Sequence, residues 1–288
     1  MKTIKFAIGL CVSIFLGTSQ VMAGAIVSEL GSYAVLAGAV VNNQGASTIS
    51  GNVGAFRGTV QGDLISFSSG QLSSPGASRE AAALALYSAL NIAPTYTDLT
   101  GANLGGMTLS AGNYNFASSA ALSTDILTLD AQNIDSPSWN FNIGSTLVIS
   151  QDASIRIINV NEGATPTVMW NVGSSAYLSQ RAEFLGNIVA YASITLREGS
   201  NIRCGRAIAL VGSVSMNNNI ISRDCKNNDG INLTESNGLA SYQGVSIPAF
   251  ANAFPITRTI VDVPEPAILS VFVLGMMGLA SRRFKKQA

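Results

Sequence analysis

GSTLVIS, residues 144–150, decides the fold of this chain because its pattern returns three times downstream. Each copy has a small residue, then a serine, then alternating side chains. The later copies are GSSAYLS from Gly173, ASITLRE from Ala192 and GSVSMNN from Gly212, so the four starts lie 29, 19 and 20 residues apart. Self-similarity at a nearly fixed interval predicts a repeat architecture.

A period near 20 residues fits one turn of a parallel β-helix, in which successive coils stack at the spacing of neighbouring strands. The longer first interval contains a polar insertion from Asn159 to Thr165. Elsewhere, short β-branched runs alternate with Gly, Ser, Ala and Asn, which is typical of many short strands. We therefore predict an all-β fold.

One segment departs from the β pattern. Ser78 can cap a helix and Pro94 follows its end, so the sequence predicts one helix over about residues 78–91. Helical spacing places four apolar side chains on one face of it: Ala83, Leu86, Tyr87 and Leu90.

The cysteines agree with the repeat. Cys204 and Cys225 are about one coil apart, and stacking would bring their Cα atoms within disulfide range. The third, Cys11, lies in the apolar N-terminal run. A disulfide between Cys204 and Cys225 is the expectation in an oxidising compartment, with a redox or metal role as the less favoured alternative.

Composition excludes several function classes. The chain has no histidine, which removes Ser-His-Asp chemistry and the commonest zinc ligand. Between residues 24 and 263 there are 10 basic and 15 acidic residues, so the basic stripe that nucleic acid requires is missing. Acidic residues are scattered rather than paired, which disfavours glycosidase-like catalysis. We expect no enzyme activity, no cofactor, no metal and no nucleic-acid partner.

The N-terminus predicts export. Lys2 and Lys5 precede an apolar run of 11 residues, and Val21-Met22-Ala23 offers a small-residue cleavage site. Residues 1–23 are therefore predicted to be a secretory signal peptide, with an uncleaved anchor as the alternative.

The C-terminus carries a second address. In residues 263–288, Pro264-Glu265-Pro266 is followed by a short apolar stretch and a basic end, which resembles the PEP-CTERM sorting signal. That resemblance implies transient membrane insertion and removal of the tail by an exosortase-type enzyme at the inner membrane. Release to the cell surface or extracellular matrix would follow. Residues 222–262 lose the repeat and are predicted to be a spacer.

Several stretches, in order, resemble the ice-binding-protein family of bacteria, fungi and algae. They are YAVLAG from Tyr33, SGNVG from Ser50, GGMTLSAGNYNF from Gly105, LTLDAQ from Leu127, WNFNIGSTL from Trp139, VMWNVGSSAYL from Val168, FLGNIVAYASITL from Phe184 and GRAIALVGSVSMNNNII from Gly205. The resemblance implies a right-handed parallel β-helix of triangular section over residues 24–221, with one long α-helix packed alongside.

The resemblance also implies a flat, weakly charged face of small hydroxyl and methyl groups that adsorbs to ice. Threonines remain as candidate ice-binding residues, with ordinary β-strand propensity as the alternative explanation for their presence: Thr48, Thr59, Thr124, Thr128, Thr146 and Thr195. The chain departs from this pattern where larger or charged side chains occur: Asn42, Gln44, Tyr177, Arg181, Arg197 and Glu198. Trp139 and Trp170 lie in alternating apolar strands and are predicted to pack in the core.

Two functions remain open. The first is an exported, non-catalytic ice-binding protein that modifies ice growth or recrystallisation. The second is a structural or adhesive module of the extracellular polysaccharide matrix that lacks ice activity. The texture of the outer faces distinguishes them, but a one-residue register error moves every side chain across a sheet.

Overall fold

The computed structural model describes residues 30–62, 64–90, 95–123 and 125–224. All of them belong to the first of two compact units, Met1–Val245. Several predicted features lie outside the described residues: the signal peptide 1–23, Thr124, Cys225, most of the 222–262 spacer, and the sorting signal with Pro264, Glu265 and Pro266.

The fold is a solenoid of short parallel strands in three sheets, numbered here in chain order. Sheet A contains β1 (Tyr33–Ala37), β4 (Asn52–Ala55), β7 (Thr97–Asp98), β9 (Gly112–Phe116), β12 (Ser138–Ile143), β15 (Thr167–Val172), β18 (Asn187–Ala190) and β21 (Ala207–Ala209). Sheet B contains β2 (Val41–Gln44), β5 (Val60–Gly62), β10 (Ala120–Leu122), β13 (Leu147–Ile149), β16 (Ala176–Leu178), β19 (Ile194–Leu196) and β22 (Val214–Asn217). Sheet C contains β3 (Ser47–Ser50), β6 (Ile65–Ser69), β8 (Thr108–Ser110), β11 (Ile126–Asp130), β14 (Ser154–Ile158), β17 (Glu183–Leu185), β20 (Asn201–Arg203) and β23 (Ile220–Ser222).

The coils do not stack in chain order. The first coil, β1 to β3, lies between the second coil, β4 to β6, and the last coil, β21 to β23. After the second coil the chain passes through the helix and resumes at the opposite end of the stack with β7. It then returns coil by coil until the last coil closes against the first.

Alternating side chains fill the space between the sheets. Strands β10, β13 and β16 of sheet B repeat a buried, exposed, buried pattern, and their inward residues join one continuous apolar core. Phe141 and Trp170 stack there with ring centroids 3.9 Å apart. Trp139 and Trp170 are both fully buried, and their indoles donate to backbone carbonyls at 3.0 and 3.1 Å. Their predicted core role is confirmed.

The repeat is present, but one step of the predicted register is wrong. Leu147 pairs with Ala176 and Ile194 with Val214, as the alignment requires. Ile194, however, pairs with Ala176, a step of 18 residues rather than 19. The error arose because Ser174 and Ser175 both match the serine of the motif, and Ser175 is the residue that lies over Ser193.

Small residues begin the copies because the coils approach closely at that corner. A Cβ atom on Gly173 would lie 2.4 Å from the carbonyl oxygen of Gly144 in the neighbouring coil. A larger side chain there would push the coils beyond the roughly 4.8 Å spacing of paired strands.

The single helix, α1 (Ala77–Leu90), begins one residue before the predicted start. Ala82, Ala83 and Leu86 are buried against the outer side of sheet A, with Tyr87 packed beside them, so the predicted apolar face is confirmed for those residues that are described. The expectation of a long helix is wrong, because α1 has 14 residues. At 1.5 Å per residue it is about 21 Å long, whereas eight stacked strands span about 34 Å.

A buried arginine joins the first coil to the last. Arg206 has no exposed surface, and its guanidinium donates to the Gly31 carbonyl oxygen at 3.0 Å and to Asn187 Oδ1 at 2.9 Å. Arg223 also donates to Gly31, at 2.7 Å. Burial, with repulsion from Arg223, lowers the pKa of Arg206 to about 10, so the group stays charged at neutral pH.

Cys204, which directly follows β20, is disulfide-bonded. Its predicted partner Cys225 lies outside the described residues, and the pairing therefore stays a prediction. A bond at this point would stabilise the last coil by about 3 kcal/mol in the loop-entropy treatment of disulfides.

Candidate functional site

The three outer faces differ in what lies on them. Over much of sheet A, α1 covers the outer surface, where Met169, Val189 and Ile208 contact the helix cluster. Strands β1, β15, β18 and β21 are consequently buried on both sides. This part of sheet A has no surface to offer a ligand.

From β15 towards the β7 end of the stack, sheet A carries an asparagine ladder. Asn171 donates to Asn142 at 3.3 Å, Asn142 donates to Asn115 at 3.2 Å, and Asn140 donates to Asn113 at 2.8 Å. These amides bond to one another along the stack, which stabilises the coils and uses hydrogen-bonding capacity that a ligand would need.

The outer face of sheet C is charged. Arg203 pairs with Glu183 at 2.9 Å, and Arg156 donates to the Thr128 hydroxyl at 3.1 Å. On the same face the apolar side chains of Ile126 and Ile220 are exposed. Charged and aliphatic side chains are therefore mixed on this face, and no single side-chain type continues along the whole stack of described strands, as a regular array would require.

The outer face of sheet B, called here the B face, is different, and it is not covered by the helix. Its first column consists of the residues just before each strand, which adjoin one another in strand register. In stacking order they are Ser119, Thr146, Ser175, Ser193, Ser213, Val40 and Thr59.

Hydroxyl groups of the first column are held in place by the backbone. Ser193 Oγ accepts from the amide nitrogen of Ser213 at 3.1 Å. Ser175 Oγ accepts from the amide of Ser193 at 3.4 Å, and Ser119 Oγ from the amide of Thr146 at 3.4 Å. Because these oxygens are fixed by neighbouring coils, their positions do not need to be ordered upon binding.

The second column runs through the middle of the same strands. Its residues pair directly from strand to strand: Ala121, Val148, Tyr177, Thr195, Ser215, Asn42 and Gln61. Successive rows lie about 4.8 Å apart and the two columns about 6.6 Å apart, as strand geometry dictates. Neither column contains Asp, Glu, Lys or Arg.

The structure separates the predicted threonines. Thr59, Thr146 and Thr195 are on the B face, in three separate rows, whereas Thr48 lies exposed on the charged face of sheet C. Thr128 is also on sheet C, where it is 6% exposed and bonded to Arg156. It therefore offers almost no surface to a ligand.

The predicted departures from a regular array also fall near this face. Asn42 and Tyr177 are in the second column, and Arg197 and Gln44 are at or just beyond the ends of their strands. Arg181 forms an ion pair, in which its guanidinium donates to both carboxylate oxygens of Asp152 at 2.8 and 2.9 Å. This pairing lowers the pKa of Asp152 and raises that of Arg181.

Sequence reasoning missed the serines of the first column, of which Ser119, Ser175, Ser193 and Ser213 are the clearest. The signal was available, because the repeat motif places a serine after each small residue. That serine marks the start of a strand in the motif, and in the folded chain it is also a hydroxyl group of the B face.

The described part of the chain holds no group of three or more Asp, Glu, His or Cys side chains able to bind a metal ion. Among the same residues, no helix is both long and apolar enough to span a bilayer.

Comparison with known proteins identifies relatives of this chain. The family described as ice-binding-like matches residues 35–222. An ice-binding protein from Nostoc sp. (strain HG1) is 48% identical over 128 residues, which cover 44% of this chain and 46% of that protein. Ice-binding protein 1 of Shewanella frigidimarina (strain NCIMB 400) is 27% identical over 120 residues, covering 42% of this chain and 13% of that protein. The chain thus spans less than half the length of these relatives.

Solved structures agree with the fold. An ice-binding protein from an Antarctic biological consortium has a TM-score of 0.61 and 26% identity, covering 77% of this chain and 96% of that one. The ice-binding protein of the Antarctic ascomycete Antarctomyces psychrotrophicus has a TM-score of 0.59 and 32% identity, covering 68% and 96% respectively.

Proposed function

Because the chain belongs to the ice-binding-like family, we propose that it is an exported, non-catalytic protein that adsorbs to ice through the B face and modifies ice growth or recrystallisation. The single observation that carries this proposal is the uncharged, uncovered pair of columns on sheet B. Strands β1, β15, β18 and β21 of sheet A are buried on both sides, and sheet C is charged.

Adsorption to ice requires a surface that need not rearrange. Parallel strand pairing fixes the rows, and backbone donors hold several first-column hydroxyls. Small side chains lose little conformational entropy when they are immobilised, which favours Thr, Ser and Ala over long polar groups. The methyl groups of Thr195, Val148 and Ala121 add apolar area whose removal from liquid water is favourable.

The finer features of the fold are taken from the family. Three sheets around one core support the triangular section, and we adopt the right-handed coil on the same basis. A non-catalytic role is supported by the acids on the described coils, which are scattered, and several of which are already paired with arginines. Asp152, for example, is paired with Arg181.

We further propose that residues 1–23 direct export and that residues 263–288 direct exosortase-type processing after transient membrane insertion. The protein would then remain at the cell surface or in the extracellular matrix. Mass spectrometry of the mature protein tests both steps. Termini near Gly24 and near Pro264-Glu265-Pro266 are expected, whereas an intact C-terminus on the exported protein would contradict the processing step.

Thermal hysteresis and recrystallisation inhibition, measured on purified residues 24–263 with the disulfide formed, test the ice proposal itself. Activity at micromolar protein is expected. A folded, monomeric sample without either activity would overturn ice binding and favour the matrix module.

A further inference from the structure

A groove of about 500 Å³ lies where the B face meets the turns leading to sheet C. Side-chain amides dominate its polar lining: Asn42, Gln44, Gln61, Gln180 and Asn217. Its volume falls in the range of about 300–1,000 Å³ that is typical of small-ligand sites.

Most of these amides are available to a ligand. Gln61 donates to the Thr59 hydroxyl at 3.2 Å. Among the described coils, no protein group bonds to the side-chain amides of Gln44, Gln180 or Asn217. Each amide offers two donors and one acceptor, a combination that matches vicinal hydroxyl groups, which both donate and accept.

Charges around the groove balance. Arg197 and Glu198 both line it, and Glu198 interacts electrostatically with Arg181, which is itself paired with Asp152. The guanidinium of Arg197 has no partner within the described ranges. With two basic and two acidic groups in this cluster, the site selects for hydroxyl-rich ligands rather than for a strongly charged one.

An aromatic ring flanks the groove. Tyr177 pairs with Thr195, a lining residue, and is therefore one strand spacing away, at about 4.8 Å. Its side chain is 37% exposed. An exposed ring beside convergent amides provides an apolar surface for the C–H face of a pyranose.

We propose that this amide groove binds a neutral polysaccharide chain, with Gln44 and Asn217 bonding to sugar hydroxyls and Tyr177 packing against a sugar ring. The groove shares Asn42, Gln61, Thr195 and Ser215 with the second column of the B face. Its binding of polysaccharide does not depend on ice binding. Glutamine side chains are long and flexible, so they can adjust to a flexible hydroxylated polymer. Immobilising them costs side-chain conformational entropy, which makes them poorly suited to binding a rigid ice lattice.

Affinity electrophoresis of the purified full chain, in native gels containing dextran, mixed-linkage β-glucan or galactomannan, tests the proposal. We expect retardation in at least one gel. The double variant Gln44→Ala/Asn217→Ala should weaken that retardation about tenfold, since it removes several hydrogen bonds. Gln71→Ala, which truncates an exposed glutamine outside the groove, is the matched control and should match the wild type.

Tyr177→Thr provides an independent readout, since loss of the ring should also weaken retardation. Absence of retardation in all three gels overturns the proposal, as does equal retardation of the wild type and the double variant. Recrystallisation inhibition measured on the same sample separates the two functions. If the protein inhibits recrystallisation but is not retarded in any gel, the polysaccharide site is overturned and the proposed ice binding is not.

Discussion

Sheets B and C are built by the same coils, at the same spacing and around the same core, yet their outer faces have opposite character. On sheet B the column through Thr195 and Ser215 carries no charge, whereas on sheet C the corresponding positions include Glu183 and Arg203. Inward residues are alike on the two sheets, being mostly Leu, Ile, Val and Ala. The solenoid therefore constrains one side of each strand and leaves the other free to encode function.

Both faces require the last coil to pack against the first, and Arg206 is the buried residue that joins these two coils. Arg206→Ala removes one of the two donors to the Gly31 carbonyl, leaves Asn187 Oδ1 without its donor and creates a cavity. We expect a loss of about 3 kcal/mol in the free energy of unfolding. Urea denaturation followed by circular dichroism measures it.

Arg203→Ala is the matched control for that change. Its ion pair with Glu183 is about half exposed, so its loss should lower stability by less than about 1 kcal/mol. Equal destabilisation by the two substitutions would show that Arg206 does not close the stack.

Tyr177 is the bulkiest side chain in the second column. Its replacement by a small residue should make the B face more regular and so increase its difference from the outer face of sheet C. Tyr177→Thr places a small hydroxyl and methyl between Val148 and Thr195. Recrystallisation inhibition should improve about two- to threefold, an increment below the roughly 1.4 kcal/mol that corresponds to tenfold. Tyr191→Thr, which removes an exposed ring outside the two columns, should leave activity unchanged. A fall in activity for Tyr177→Thr would mean that the ring itself contacts ice.

Acid should affect stability before it affects the B face. Hydrogen bonds from Arg181 lower the pKa of Asp152, and those from Thr100 lower the pKa of Asp98. A depressed pKa in the folded state contributes stability above the unfolded value of about 3.9, and this contribution is lost as pH falls through the folded value. Melting temperature should therefore decline below about pH 4.

Ice activity should stay constant from about pH 5 to 8 because neither column contains a carboxylate or a histidine. In Asp152→Asn the acid decline of the melting temperature should be shallower than in the wild type. If ice activity instead changed with the titration of carboxylates, the result would contradict the B face as the binding surface and favour the charged face of sheet C.

Much of the fold could be predicted because periodic patterns are local. The four repeats, the helix near Ala83 and the buried tryptophans all follow from spacing and polarity. The face of each threonine could not be predicted, since the one-residue slip between Ser175 and Ser193 changes which residues share a column. Nor could the burial of Thr128 be predicted: the residue is in an outward strand position, but the Arg156 side chain bonds to its hydroxyl and it is almost fully buried.

Insertion of the first coil between the second and the last could not be inferred either. Strand patterns specify that coils stack but not which coil is the neighbour. The contacts that accompany this closure include those from Arg206 and Arg223 to Gly31, which join residues more than 170 positions apart.

The most direct test compares Thr195→Lys on the B face with Thr48→Lys on sheet C, by partition of each purified variant into slowly growing ice. Both positions lie on outward-facing strand positions, so both variants should fold like the wild type. An unpaired, hydrated ammonium group on the adsorbing surface should reduce the fraction of Thr195→Lys in ice about tenfold or more. Thr48→Lys should partition like the wild type. The reverse result, or equal losses in the two variants, would contradict the assignment of ice binding to the B face.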